Sequence, residues 1–474
     1  MGIDVTSTFI YRWRYPIGYG LIALLLVSLL IFAGLYLPGG ISDSEKASVI
    51  KSAGIHINDI SSLAVTNLPY YALQQASISL FGVHDFSIKL PSLVLALVSA
   101  IGLILLLRQW FKTNIAVLAT IIAITTGQFL FIAQNGTPSI LYVLWPVWLL
   151  LLGTLIAKRV RFRFLWKVLF FVMAALSLYT PLSIYALVAL GAATLLHPHL
   201  RFIIRSLSRK RLAVAGLLAV IIITPLAIGV ARSPELGLSL LGIPTTWPNI
   251  AANVNLLAGQ YFGFWIPSTT SLMVPVFGLG SMIIIALGVY RLIRTRESTQ
   301  SYLIIIWLAC LMPILVTNPL FTSVTFLPLV LLMAMGLSSL LGYWYRLFPR
   351  NPYARIAGLI PLIVLISALI LTGLQRYEYG YQYDVYTVAN FSKDLSLLPK
   401  NTTQLVVSDG EKPFYTVVAR HTNSLTLVSE PSGETFVATH DAQKDFPGYE
   451  ISRIVTSSTT SNADRFYIYK KSPQ

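Results

Sequence analysis

The chain has 474 residues, of which 55% are hydrophobic and only 11% charged, and its mean hydropathy is +0.72. A soluble globular chain carries roughly 25% charged residues, so too little polar surface exists here to cover a core of this size. The composition is that of an integral membrane protein. The single cysteine excludes a disulfide scaffold, and the apolar content excludes disorder.

In chain order, Arg12 and Arg14 precede an uncharged run at 17–37. At the helical rise that run covers about 30 Å, one hydrocarbon core. It is longer than the ~7–15 apolar residues of a signal peptide and ends at no small-residue cleavage site, so a retained first helix is predicted. Further spans are predicted at about 88–107, 115–133, 138–157, 164–178, 180–196, 212–231, 272–290, 302–316, 319–342 and 356–374. Together they make an all-α polytopic membrane domain of eleven helices over 1–374. Within 164–196, Thr180-Pro181 supplies the only break.

From about residue 375 the pattern turns soluble. A helix is expected near 383–397, strands near 404–408, 424–428, 451–456 and 464–470, and a short helix near 413–420. Residues 375–474 therefore read as a small α/β domain. No repeat, heptad run or low-complexity tract interrupts this plan.

Lysine and arginine set the sidedness. With the N-terminus cytoplasmic, the inner segments hold twenty cations, from Arg12 to Arg355. The outer segments before residue 375 hold four: Lys46, Lys51, Lys89 and Arg232. The expected location is the plasma membrane, multi-pass, with the C-terminal domain outside. Most of the formal +16 then faces lipid headgroups, and no nucleic acid is needed as a partner.

The acids gather on the other side. Asp43, Glu45, Asp59 and Asp85 all fall in the first outer loop, 38–87, which is long for a connection between spans. A second long outer segment, 232–271, is rich in aromatic residues, Pro and Asn. In the first loop, Ser42 with Glu45 three residues later spells a capping box, so Asp43 and Glu45 have a plain structural role open to them. Two carboxylates at the membrane surface equally suit a general base or a divalent metal site. Both readings stay open on local grounds. The histidines show no ligand spacing that calls for a metal, and no Walker loop appears.

The stretch from 67 to 111 carries the most specific signal. Tyr71, Leu73, Ile78 and Leu80 are apolar positions on a helix suited to lie along the interface, and Gly82 ends it. Pro69, Tyr70 and Tyr71, then Leu80, Phe81 and Gly82, then Lys89, Leu90, Pro91 and Ser92 follow in order. With an acidic cluster just after the first helix, this resembles the C-superfamily (GT-C) glycosyltransferases, including the protein O-mannosyltransferases and the aminoarabinose transferases.

The resemblance implies an inverting transfer of a sugar from a polyprenyl-phosphate carrier to an envelope acceptor at the outer face. It implies Asp43 and Glu45 as catalytic carboxylates. Lys46, His84, Lys89 and Arg232 are the cations it implies at the donor phosphate. The family's acidic pair is adjacent, whereas this chain reads Asp43-Ser44-Glu45, and its second outer loop (AQNGTPS, 133–139) is uncharged. A degenerate relative and a transporter or flippase of a lipid-linked glycan are the competing classes. A transporter should carry ionisable groups within its spans, and these spans carry almost none.

Overall fold

In the computed structural model of the protein, the described residues are 9–35, 40–56, 58–158, 160–205, 209–264, 276–347, 353, 357, 359–382, 395–422, 424–456 and 465–472. The helices, in chain order, begin with α1 (Phe9–Leu35), α2 (Asp43–Ala53), α3 (Ile60–Leu63), α4 (Leu68–Phe81) and α5 (Asp85–Trp110). There follow α6 (Thr113–Ile124), α7 (Gly127–Gln134), α8 (Leu141–Ala157), α9 (Arg163–Ser177), α10 (Ser183–Leu196), α11 (Pro198–Arg205) and α12 (Arg209–Arg232). The remaining helices are α13 (Pro234–Leu241), α14 (Ile250–Phe262), α15 (Leu279–Arg294), α16 (Thr299–Thr317), α17 (Phe326–Leu347), α18 (Leu359–Gln382) and α19 (Lys412–Arg420).

Six helices among the described residues are long and apolar enough to cross a membrane, or up to eight if each bent pair is one span. The eleven spans expected from hydropathy are therefore not all met. The expected span at 115–133 is a pair, α6 and α7, bent by 62°. Thr125 and Thr126 cause the break. Their hydroxyls bond back to the Ile121 and Ala123 carbonyls, and the Thr126 hydroxyl accepts the Phe129 amide to start a new helix. Gly373 of α18 sits against the Thr125 carbonyl with no room for a Cβ. The expected spans at 164–178 and 180–196 are helices of 15 and 14 residues, short for a full crossing.

The membrane core is apolar on all sides of Leu107, Ile122, Trp145, Ile304 and Met333, each buried. One helix pair is closer than the rest. Gly288 of α15 faces the Leu332 carbonyl of α17, and Gly336 faces the Ile284 carbonyl, so the backbones meet without intervening side chains.

The C-terminal domain is a five-stranded sheet of β1 (Gln404–Val406), β2 (Thr426–Leu427), β3 (Thr435–Thr439), β4 (Tyr449–Val455) and β5 (Phe466–Lys471). The strand order is β2-β1-β3-β5-β4, with β1 parallel to β2 and β3 and the other pairs antiparallel. Four strands and α19 fall where the sequence predicted them. β3 was not predicted; it is five residues of mixed polarity, TFVAT. Most of the helix expected at 383–397 lies outside the described residues, and Leu395–Leu397 is a 3-10 turn.

Alternation along β3 gives the sheet two buried faces. Phe436 and Ala438 pack with Phe446, Tyr467 and Tyr469 on one side. Val437 turns the other way and joins Leu405, Phe414, Val418 and Phe466 in a cluster that also contains Ile41, Val49, Ile78, Val83 and Ile88. The C-terminal sheet and the 38–88 segment thus share one core.

Candidate active site

α2 begins with the capping box that the sequence spells. Ser42 is extended, its hydroxyl accepts the Glu45 amide at 3.3 Å, and Glu45 Oε2 accepts the Ser42 amide at 2.8 Å. Two orphan donors of the first turn are satisfied reciprocally. The other carboxylate oxygen reaches much further along the chain. Glu45 Oε1 accepts the Gly136 amide at 2.6 Å and lies 3.8 Å from Lys89 Nζ. Both side chains of the ion pair are 0% exposed as whole residues. Lys89 Nζ also donates to the Gly40 carbonyl at 3.1 Å. Gly40 has φ of 63°, a left-handed turn that glycine takes without a Cβ penalty.

One carboxylate therefore ties together three segments: the turn at Gly40–Ser42, the N-terminal turns of α5 and the loop after α7. Gly136 is required at the meeting point, because a Cβ there would lie 2.8 Å from Ile88 Cγ2 and 3.0 Å from Glu45 Oε1. Gln74 reinforces the same junction. Its Oε1 accepts the Ser48 hydroxyl at 2.7 Å, and its Nε2 donates to the Ile88 and Gly136 carbonyls, each at 3.1 Å. Tyr70 and Ser92, from the two halves of the motif read in the sequence, bond to one another at 2.8 Å. The Ser92 hydroxyl donates to the Asn135 carbonyl at 2.5 Å, which leaves Tyr70 as donor to Ser92. Burial pushes the Tyr70 hydroxyl far above its usual range, so it keeps its proton.

The remaining candidates occupy different places. Asp43 is exposed at the first position of α2, next to a helix N-terminus that favours an anion. Lys46 is nearly buried, with Nζ 5.5 Å from the centre of the Phe414 ring of the C-terminal domain. His84 is exposed in front of α5, where its backbone amide donates to the Ser87 hydroxyl at 2.9 Å. Arg232 is exposed in the last turn of α12. Three residues earlier Gly229 approaches the first loop, where a Cβ would meet Ala64 Cβ at 2.5 Å. Arg232 is thereby held near the same 38–87 loop that carries Asp43. Among the described residues no three His, Cys, Asp or Glu side chains are grouped to hold a metal ion.

α4 divides its faces unexpectedly. Tyr70, Tyr71, Gln74, Ser77 and Ile78 are buried, while Leu73, Leu80 and Phe81 are exposed. The outward face is thus the apolar one, as a helix at a lipid interface requires. Sequence reasoning missed Gln74, Ser48 and Gly136 as site-builders. A polar residue at helical spacing from Tyr70 was the available signal for Gln74. It also missed Arg376, Gln134 and Asn135, whose Nη2, Oε1 and Oδ1 atoms are buried with no hydrogen-bond partner among the described residues.

A helical body with six to eight candidate membrane spans among the described residues, a buried carboxylate–ammonium pair and a C-terminal sheet packed on the 38–87 loop make up the fold, and the chain resembles the C-superfamily (GT-C) glycosyltransferases. Residues 68–228 match the model of the dolichyl-phosphate-mannose-protein mannosyltransferase family. Among solved structures, the oligosaccharyltransferase of Archaeoglobus fulgidus, tethered to an acceptor peptide containing the NVT sequon, matches with a TM-score of 0.51 at 15% identity. That match covers 89% of this chain but 64% of the archaeal one, so the chain spans less than two thirds of that relative's length. ArnT from Cupriavidus metallidurans, bound to undecaprenyl phosphate, matches with a TM-score of 0.50 at 11% identity, over 96% of this chain and 99% of ArnT. A comparison with curated proteins finds no match.

Proposed function

We propose that the chain transfers a sugar from a polyprenyl-phosphate donor to an envelope acceptor at the outer face of the plasma membrane. The observation that carries this reading is the division of labour between two carboxylates two residues apart. Glu45 is buried and committed to Ser42, Gly136 and Lys89, whereas Asp43 is exposed at the N-terminus of α2, the helix that Ser48 ties to α4. The outward apolar face of α4 supports the same reading, because a lipid carrier arrives at headgroup depth. So does the solved relative ArnT, which was captured with undecaprenyl phosphate.

In this reading Asp43 is the general base. It removes the proton of the acceptor nucleophile as that atom attacks the anomeric carbon. The bond from that carbon to the carrier phosphate oxygen breaks, and the configuration inverts. The departing phosphate is met by the exposed outer cations His84 and Arg232, with Lys46 at the margin of the C-terminal domain. Lys89 acts one step back, as the buried partner of Glu45 that holds the first loop in place.

The test is transfer of labelled sugar from synthetic polyprenyl-monophosphate and polyprenyl-pyrophosphate donors to envelope fractions, by the purified full-length protein in lipid vesicles. Transfer from a monophosphate donor supports the reading. Binding of donor without turnover would instead identify a degenerate relative, the reading that Ser44 at the position of the family's aspartate favours. Movement of intact donor across the vesicle would identify a flippase.

A further inference from the structure

The last turns of α15 and α17 flank a cleft of about 350 Å³ lined by Tyr290, Arg291, Arg294, Arg346, Ser338 and Gly342, among others. Three of its lining residues are arginines and none is acidic. Arg294 lies over the Tyr290 ring, 5.6 Å from its centre. The cleft has a structural cause. α15 and α17 run backbone to backbone at Gly288 and Gly336, and at Gly342, two turns further on, the pair again has no side chain on one wall. Gly342 has nothing within 4 Å of where a Cβ would stand. Ser338, Ser339 and Thr295 add hydroxyls to its lining.

The approach to the cleft is apolar. Ile283, Leu287, Tyr290 and Ile293 of α15 are all exposed and fall at helical spacing on one stripe that ends at the arginines. Within a bilayer such a stripe is a track for an acyl chain. An arginine cluster at its end is then placed where a headgroup phosphate would sit. Arginine forks also match phosphate oxygens in a bidentate way that scattered interface lysines do not.

A plainer role competes. Arginines in the last turn of a helix interact with its exposed carbonyls and snorkel to the interface without any partner. That role gives each arginine the same modest weight. It does not explain why three arginines from two separate helices surround one hollow, together with hydroxyls and without a carboxylate.

We propose that this cleft binds the phosphate head of an anionic phospholipid, with the acyl chain along the Ile283–Ile293 stripe. It is separate from the site at Glu45 and does not depend on what reaction that site performs.

The experiment is native mass spectrometry of the purified full-length protein, titrated with phosphatidylglycerol, phosphatidylcholine or inorganic phosphate. Phosphatidylglycerol is expected to bind saturably and in preference to phosphatidylcholine. Each of Arg291→Gln, Arg294→Gln and Arg346→Gln should weaken it about fivefold, the effect of roughly one interfacial charge. Arg296→Gln, at an exposed arginine outside the lining, should leave it unchanged. Arg346→Lys keeps the charge without the fork and should weaken binding less than Arg346→Gln, which separates headgroup binding from loss of folding. Equal binding of both lipids would overturn the proposal, as would an Arg296→Gln effect matching the others. Saturation by inorganic phosphate at the same affinity would overturn the assignment to a lipid.

Discussion

The Gly136 amide donates to Glu45 Oε1 at 2.6 Å, joining the loop after α7 to the start of α2 across 91 residues of sequence. The bond leaves no space at Gly136 beyond a hydrogen atom. Adding a methyl group there would press on Ile88 and on the carboxylate itself. Gly136→Ala is therefore expected to destabilise the protein by about 1–3 kcal/mol, the usual cost of overpacking. A thermal unfolding scan in detergent checks this, and an unchanged midpoint would show that the loop yields.

The Glu45–Lys89 pair predicts a strong coupling. Removing one buried partner leaves the other charge unpaired, typically at about 3–5 kcal/mol. Glu45→Gln alone and Lys89→Met alone should each be severely destabilised. The double variant should recover most of the loss, because no uncompensated charge remains. A double-mutant cycle on unfolding midpoints reads the coupling directly, and additive losses would contradict it.

The shared core between the first loop and the sheet makes the C-terminal domain a structural support. Phe414 is buried among Val49, Ile88 and Val418, and it lies under the Lys46 ammonium. Phe414→Ala is expected to cost about 3–5 kcal/mol. Part of that loss should appear at a distance, as faster hydrogen exchange in α2. Exchange in α2 that does not change would separate the two units. Deleting the whole domain would expose Ile41, Val49 and Ile78, so donor binding after such a truncation should fall through loss of α2 order.

Sidedness is tested by cysteine labelling in a Cys310→Ala background. Ser79 and Arg296 are both exposed. A membrane-impermeant maleimide should label Ser79→Cys from outside intact cells and leave Arg296→Cys unlabelled until the cells are opened. Labelling of Arg296→Cys in intact cells would invert the topology.

Much of this arrangement was legible in the sequence, and the reasons differ by feature. Long uncharged runs are cumulative signals, so most of the expected spans coincide with helices whose ends lie within a few residues of those predicted. The capping box is local, so Ser42 and Glu45 could be paired from spacing alone. The break at Thr125-Thr126-Gly127 was not legible, because no proline marks it and the bend depends on hydroxyl back-bonds and on Gly373 from a distant helix. The links from Gln74 to Gly136 and from Ser92 to Asn135 span 62 and 43 residues. Polar contacts of that range leave no periodic trace. The family motif did mark Tyr70 and Ser92, but only the structure reveals that they bond to each other. β3 is short and partly polar, and its strand character comes from pairing with β1 and β5 rather than from its own pattern.

The central claim is that Asp43 carries the chemistry while Glu45 carries the architecture. The direct measurement is the initial rate of sugar transfer by Asp43→Asn and by Glu45→Gln, each normalised to folded protein. The account predicts that Asp43→Asn folds with a near-normal unfolding midpoint and loses about 10²–10⁴ in rate, the typical contribution of a positioned general base. Glu45→Gln should lose stability, and its folded fraction should keep a much larger share of the rate. Near-full activity in Asp43→Asn, together with a well-folded but inactive Glu45→Gln, would contradict the account.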